Sequence, residues 1–392
     1  MKKIAILLNN IPAEGGAFQY NQAMLDAFFS LPDEKFEKTV FYTNTFWGEY
    51  LHQFNCNAKK LKFSFYMNKV MKLITLFNFS LNKRKIILQI LAPDASRHLN
   101  DKGIDMLLFP SQDTISLYTT AKKVNIIHDL MHKYEPHFPE VSDNGRIKYR
   151  DILFKNFCDE SIAIIVDSKV GSDHVHEIYH TSKEKIYDLP FIPPPHILDD
   201  GPLPTDFKEK YGHLPDKFLF YPSQFWAHKN HKNLLLAINK LRNQGIEINM
   251  VFGGKLMYMY DDIVKFINQY DLQNHITFIG YVPNEYIKGV YLKSMGLVMP
   301  TFFGPTNIPP LEAIFLGRPV AVSGIYAMPE QLQDAALYFK PNDVDDIAEK
   351  LKILWLDENQ RMQLIENGKK LIKLWNKTEF NKRFNEIINS IA

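Results

Sequence analysis

The chain has 392 residues, 46% of them apolar and 23% charged, with a formal net charge of +2. These are ordinary values for a globular protein large enough to build two domains with buried cores, and so even a charge balance gives no footing to a nucleic-acid or acidic-polymer role. The two cysteines, Cys56 and Cys158, fit no metal or redox spacing, which points to a reducing compartment.

The chain opens on a basic start and a run of only five apolar residues, Ile4–Leu8, followed at once by Asn9 and Asn10. That run is too short for a signal-peptide core and reads as a first strand. Further strands are expected over Lys38–Tyr42, Met106–Phe109, Lys123–Ile127, Ser161–Val166, Phe218–Tyr221, Asn249–Phe252, Ile276–Ile279, Gly296–Met299 and Pro319–Val322. Helical stretches lie between them, among them Phe18–Phe29, Asn233–Arg242, Ile263–Asp271 and Val344–Leu356. Continuous apolar runs such as Ala5–Leu8 suit strands covered on both faces, and the alternation predicts parallel, doubly wound α/β sheets. No segment approaches the ~18 apolar residues of a membrane span, so a cytoplasmic protein is expected.

One break in composition divides the chain. Residues 189–204 hold six prolines and a glycine, too few donors for a sheet interior. The expected division is an N-terminal domain over 1–195, a Pro-rich linker over 196–212, a C-terminal domain over 213–375, and a terminal helix over 376–392 that packs back on the first domain. The tail from Glu358 to Ala392 reads as wholly helical.

The densest local signal is Pro300 to Ser323. An apolar strand, Gly296–Met299, runs into a loop of Gly304, Pro305, Thr306 and Asn307. A short helix follows from Ile308 and ends at Gly317. Such a loop aims backbone N–H groups at one point, which suits a phosphate. Glu312 lies one turn inside, where a carboxylate can accept two ribose hydroxyls. Near the N-terminus, Gly15 and Gly16 follow the first strand and allow close approach of the backbone to a ligand.

These residues and three other segments carry a resemblance. Tyr221 to Leu235, Phe278 to Pro283, Pro300 to Ser323 and Glu330 to Asp343 follow the order and spacing of the family 4 type retaining glycosyltransferases. The fold this implies is GT-B: two Rossmann-like doubly wound domains facing across a cleft. The implied activity is transfer of a sugar from a nucleotide diphosphate sugar to a glycan or lipid-linked glycan, as in bacterial surface polysaccharide assembly. No metal and no cofactor are implied. In the resemblance, Lys229 is the lysine that clamps the leaving diphosphate, and Gly15, Gly16, Gln224, Tyr281, Gly304, Thr306, Asn307, Ile308 and Glu312 line the donor. His128 faces the donor sugar, and Asp129 is a fallback base if the diphosphate oxygen does not itself take the acceptor proton. The anomeric configuration would be retained.

Two positions depart from the family pattern. Gln224 stands where an arginine is usual, and an amide lacks both the charge and the bidentate fork; His228, His231 and Lys232 are nearby candidates to help. Gly304 stands where the first of two glutamates is usual, and no Glu or Asp occurs between Gly296 and Leu311. A non-catalytic nucleotide-sugar binder, or an epimerase or phosphorylase on the same frame, therefore stays open. Residues 59–86 hold eight Lys or Arg and no acid. This stretch reads either as a core helix with a solvated basic face or as a peripheral contact with the inner face of an anionic membrane.

Overall fold

The computed structural model describes all residues except Ser64, Asn78 and Asp113, and only the backbone of Ala13, Phe65, Tyr66 and Asn68. The chain forms two compact units. Unit 1 comprises Met1–Pro136, Val141–Pro190 and Lys377–Ala392, and unit 2 comprises His137–Glu140 and Phe191–Asn376.

Unit 1 is built on seven parallel strands: β1 (Lys2–Leu8), β2 (Phe36–Tyr42), β3 (Asn57–Lys60), β4 (Met106–Phe109), β5 (Lys123–Ile126), β6 (Ala163–Val166) and β7 (Ile186–Asp188). Their order in the sheet is β3-β2-β1-β4-β5-β6-β7. Unit 2 carries six parallel strands: β8 (Leu219–Pro222), β9 (Met250–Gly253), β10 (Ile276–Gly280), β11 (Gly296–Met299), β12 (Val320–Ser323) and β13 (Ala336–Phe339), in the order β10-β9-β8-β11-β12-β13. The central strands are buried throughout, as apolar runs with helices on both faces must be. Every strand expected from the sequence is present. β13 lies within the Glu330 to Asp343 segment of the resemblance, and the edge strands β3 and β7 were not expected. They are four and three residues long, and β3 is wholly exposed, so no apolar pattern announces them.

In each sheet the strand order reverses once, between β1 and β4 and between β8 and β11. At such a point the loops leave the carboxyl ends of adjacent strands in opposite directions and open a crevice. In unit 1, Asn21 spans the loops that follow β1 and β4, donating to Asn10 Oδ1 at 2.8 Å and to Ser111 Oγ at 2.9 Å. In unit 2 the corresponding loops hold residues 223–230 and 300–307.

The Pro-rich stretch is not a free connection. The chain enters unit 2 at Phe191, and a helix over Phe207–Tyr211 docks on the helix Asn284–Lys293. Phe207 lies so close to Gly289 that a Cβ there would come within 2.3 Å of its ring, and Tyr286 donates its hydroxyl to Asp206 at 2.9 Å. The C-terminal tail is two helices, Glu358–Leu374 and Lys377–Ile391. Trp375 breaks them: its backbone is extended, and its indole donates to the Phe191 carbonyl at 3.1 Å. The second helix belongs to unit 1, where Lys377 pairs with Asp26 at 2.6 Å and Phe380, Phe384, Ile387 and Ile388 are buried.

Each of those apolar side chains contributes roughly 1.5–3 kcal/mol by leaving water. Replacing Phe384 with Ala should cost about 3–5 kcal/mol. Hydrogen exchange in mild urea checks it: protection should fall in peptides of unit 1, including the strand peptides, and stay unchanged over 205–371.

Candidate functional site

The crevice of unit 2 is organised by the turn that follows β8. A short 3-10 turn, Ala227–Lys229, ends at Asn230, which adopts a left-handed backbone (φ 57°) and starts the helix His231–Arg242. The Asn230 side chain is buried and donates to the carbonyls of Pro300 at 2.9 Å and Pro341 at 2.6 Å. The His228 carbonyl accepts the Phe302 N–H at 2.7 Å and the Thr301 hydroxyl at 3.2 Å. The Lys229 carbonyl accepts the Tyr221 hydroxyl at 2.9 Å. Thus the loops after β8 and β11 are bolted together around Lys229.

The Lys229 side chain is half-buried, and no hydrogen bond or ion pair to a described residue ends on its ammonium. Burial pushes its pKa down to about 8, while the charge of Glu140 works in the opposite direction. Gln224 accepts the Trp226 indole N–H at 2.7 Å through its side-chain oxygen, which turns its amide N–H groups away from that contact. His231 is no helper. It is 2% exposed and packed among Tyr221, Phe225 and Phe252 at centroid distances of 5.0, 4.7 and 5.1 Å. Burial, with the charges of Lys229 and His228, pushes its pKa down to about 3, so it is a neutral core residue. Lys232 faces solvent.

In the loop after β11, Gly304 has φ 109°, and a Cβ there would meet the Asn307 side chain at 2.9 Å. Asn307 donates its side-chain N–H to the Gly304 carbonyl at 3.1 Å. The Asn307 backbone is clasped by Gln331, which accepts its N–H at 3.0 Å and donates to its carbonyl at 3.0 Å. The expectation that Asn307 offers its N–H to a ligand is therefore corrected. Pro309 and Pro310 have no N–H to offer, so among the described residues the open donors at the helix start are the backbone N–H groups of Ile308 and Leu311. Thr306 is buried beside them.

Glu312 is 4% exposed, and its Oε2 accepts the Tyr291 hydroxyl at 2.6 Å. Burial pushes its pKa up to about 7, and the Tyr291 hydroxyl pulls the other way. No described residue bonds to its Oε1. Tyr281 lies at the end of β10, half exposed, next to Gly280, which has φ 64°.

Unit 1 holds the remaining candidates. Gly15 has φ 60° and ψ −121°, a backbone that favours glycine, and it caps the helix Gly16–Phe29. The N–H groups of Gly16, Ala17 and Phe18 have no acceptor among the described residues. His128 follows β5 and meets Tyr20 edge-on at 4.8 Å. Burial pushes its pKa down to about 4, so the ring is neutral near pH 7. Asp129 is committed elsewhere: it accepts from Arg150 at 2.7 Å and from the Met131 N–H at 2.9 Å. Burial acts to raise its pKa, but Arg150 and the Met131 N–H outweigh it and hold the carboxyl below its usual range. That makes it a poor proton acceptor, which removes the ground for Asp129 as a fallback base. His132 lies 3.3 Å from the Tyr179 hydroxyl. Among the described residues no group of three or more His, Cys, Asp or Glu is placed to hold a metal ion.

Residues 205–371, the stretch that contains Lys229, Gly304 and Glu312, match the family described as Glycosyl transferases group 1. The chain is 24% identical over 214 residues to O-antigen chain mannosyltransferase B of Escherichia coli, covering 54% of this chain and 56% of that protein. It is also 24% identical over 217 residues to the O-antigen chain mannosyltransferase RfbU of Salmonella typhimurium, covering 55% and 56%. The chain thus matches little more than half the length of these curated relatives. Over its full length it superimposes on Anabaena HepE in complex with UDP and glucose, with a TM-score of 0.72 at 15% identity. Sucrose-phosphate synthase of Thermosynechococcus elongatus covers all of this chain and 99% of its own, with a TM-score of 0.71 at 15% identity. These likenesses show the fold, and that fold is GT-B.

Four residues that organise this part of unit 2 were not read from the sequence. Tyr291 orients Glu312, Gln331 clasps Asn307, Asn230 bolts the loops, and Gly254 (φ 140°) lets residues 223–224 pass, since a Cβ there would meet the Ser223 carbonyl at 2.3 Å. Only Gly254, in the pair Gly253–Gly254 after an apolar strand, had a signal.

The raised pKa of Glu312 fixes a sign. The folded state holds this proton more tightly than the unfolded chain, so stability is full below about pH 4.5 and falls as pH rises through about 7. Glu312→Gln removes that loss and should be about 3 kcal/mol more stable than the parent at pH 8, and no more stable at pH 4. Urea melts at the two pH values check it.

Proposed function

We propose that the protein is a retaining, metal-independent glycosyltransferase that moves a sugar from a nucleotide diphosphate sugar to a glycan or lipid-linked glycan in bacterial surface polysaccharide assembly. The observation that carries this reading is the Lys229 ammonium, half-buried at the strand-order reversal of unit 2 with no ion pair to a described residue. A buried cation without a fixed partner is costly, and the leaving diphosphate is the charge that would repay it. At ~4 Å and an effective dielectric of ~20, that contact is worth roughly 4 kcal/mol before desolvation. Glu312 supports the same reading, because its open Oε1 suits a ribose hydroxyl. The matched family and the O-antigen mannosyltransferase relatives support the reaction class, and HepE is a neighbour of the same fold crystallised with UDP.

In this mechanism Lys229 and the N–H groups of Ile308 and Leu311 stabilise charge on the departing diphosphate. Gln224 adds an amide donor without charge. The acceptor hydroxyl attacks the face from which the diphosphate leaves, and a diphosphate oxygen takes its proton.

A thermal-shift panel of UDP- and GDP-sugars identifies the donor, since a ligand at ~100 times its dissociation constant adds ~2.7 kcal/mol. Lys229→Ala should weaken nucleotide binding by about two to three orders of magnitude, and transfer to acceptor should be lost with it. Wild-type product should keep the donor's anomeric configuration. An inverted product sinks the retaining assignment, and donor binding without transfer or hydrolysis marks a binder instead.

The acceptor side includes a membrane contact. The helices Phe65–Thr75 and Leu81–Leu91 expose Val70, Leu73, Ile86, Ile90 and Leu91, and the turn between them exposes Phe77; Lys59, Lys60, Lys72 and Lys83 face solvent in the same stretch. Arg84 does not: it is buried and paired with Glu160. Of the stretch 59–86, Ser64 and Asn78 lie outside the described residues. No described helix is long and apolar enough to cross a membrane. This pattern suits an anionic bilayer surface, with each exposed cation contributing about 1 kcal/mol. Flotation should show binding to vesicles containing phosphatidylglycerol, lost at high salt and in Leu73→Asp with Phe77→Asp. Equal binding to neutral vesicles, or none to either, contradicts it.

A further inference from the structure

The four residues His137–Glu140 belong to unit 2, although the sequence on either side of them belongs to unit 1. Phe138 is 8% exposed, with its ring 5.5 Å from Phe302 and 5.4 Å from Phe303. His228 stacks flat on Phe303, at 3.9 Å and 11°. The Glu140 side chain is 8% exposed, and its Oε1 lies 3.1 Å from His228 Nδ1. The same oxygen accepts the His228 backbone N–H at 3.3 Å and the Tyr258 hydroxyl at 3.1 Å. An excursion of the chain thus delivers one carboxylate to the residue before Lys229 and one phenyl ring against the turn that leads into Gly304.

We propose that Glu140 is a positioning residue of the diphosphate subsite: it fixes His228 and supplies the counter-charge that keeps the Lys229 ammonium cationic. This rests on the donor-site reading above. Two losses make such a residue useful. Gln224 brings no positive charge, so the subsite depends on Lys229 alone being protonated. Gly304 brings no negative charge, so no acid of the 296–311 loop can hold that proton in place.

The groups facing Glu140 are consistent with this role. His228 and Lys229 come from the turn after β8, and Tyr258 from the loop after β9. His137, on its own segment, packs at a 39° tilt on Phe138 at 4.1 Å. His231, behind Lys229, is neutral and adds no competing charge. Burial acts to raise the Glu140 pKa, but His228 outweighs it and brings it down to about 2, so the carboxylate is ionised throughout the working range. It is also the group that acts against the lowering of Lys229 by burial.

The test compares wild type, Glu140→Gln and Glu140→Asp. Gln keeps an acceptor oxygen for Tyr258 and His228 but removes the charge; Asp keeps the charge one methylene further back. Lysines are tagged by reductive 13C-methylation, the Lys229 signal is assigned by its absence in Lys229→Arg, and its titration is followed by NMR. The expected result is a Lys229 midpoint lower by about one unit in the Gln variant, a tenfold loss of proton affinity, and an intermediate midpoint for Asp. In calorimetry with UDP and GDP, the Gln variant should lose several-fold more affinity than wild type between about pH 6.5 and about pH 9. A purely packing role for Glu140 moves neither readout in the Gln variant. An unmoved Lys229 midpoint overturns the proposal whatever the nucleotides do. A lowered midpoint with neither nucleotide bound by wild type leaves the Glu140–Lys229 coupling standing and sinks the donor-site reading.

Discussion

The two hydrogen bonds from the Asn230 side chain to the carbonyls of Pro300 and Pro341 hold the candidate site together. Strand order brings the loops after β8 and β11 to one place, but loops are not rigid. A buried amide that reaches both, on a residue whose left-handed backbone also starts a helix, converts that proximity into fixed geometry. Lys229 is the residue before it, and its position is set by this bolt. Removing the amide would leave the buried Pro300 carbonyl without its donor, a cost of about 1–3 kcal/mol, while Asn233 would still donate to the Pro341 carbonyl at 2.9 Å.

Around that bolt, unit 2 separates its charges in a way that fits ligand binding better than stability. Lys229 and Glu312 are both withdrawn from water, and each has its pKa moved toward its neutral form by burial. Neither is cancelled by a described ion pair. Perturbed groups of this kind gather at functional sites because a ligand completes what the fold leaves open. By contrast, the buried Lys123 of unit 1 is paired with Glu160 and bonded to the Ser116 and Thr119 carbonyls, which is the pattern of a structural charge.

Much of this was legible in the sequence, for a physical reason in each case. Continuous apolar runs such as Met106–Phe109 and Gly296–Met299 can only be strands covered on both faces, and they are. The Gly-Pro-Thr-Asn loop could be placed because glycine and proline restrict the backbone locally. The structure adds why glycine stands at position 304: the backbone there is in a region that disfavours a side chain, and Asn307 occupies the space. What the sequence could not reveal depends on distant partners. Gln331 clasps Asn307 from 24 residues away, and Glu140 reaches His228 across 88. The separate terminal helix over 376–392 was expected, but not the indole contact that ends the helix before it, whose acceptor lies 184 residues back. Asp129 was misjudged because Arg150, on a helix 21 residues on, decides its charge state.

The central claim is that one ammonium, held by the bolted loops, neutralises the leaving diphosphate of an activated sugar. A crystal structure with the nucleoside diphosphate found by ligand screening tests it most directly. The account predicts the Lys229 Nζ within ~3 Å of a diphosphate oxygen and a Glu312 carboxylate oxygen on a ribose hydroxyl. A nucleotide bound with Lys229 pointing away from its phosphates, or bound elsewhere on unit 2, contradicts it.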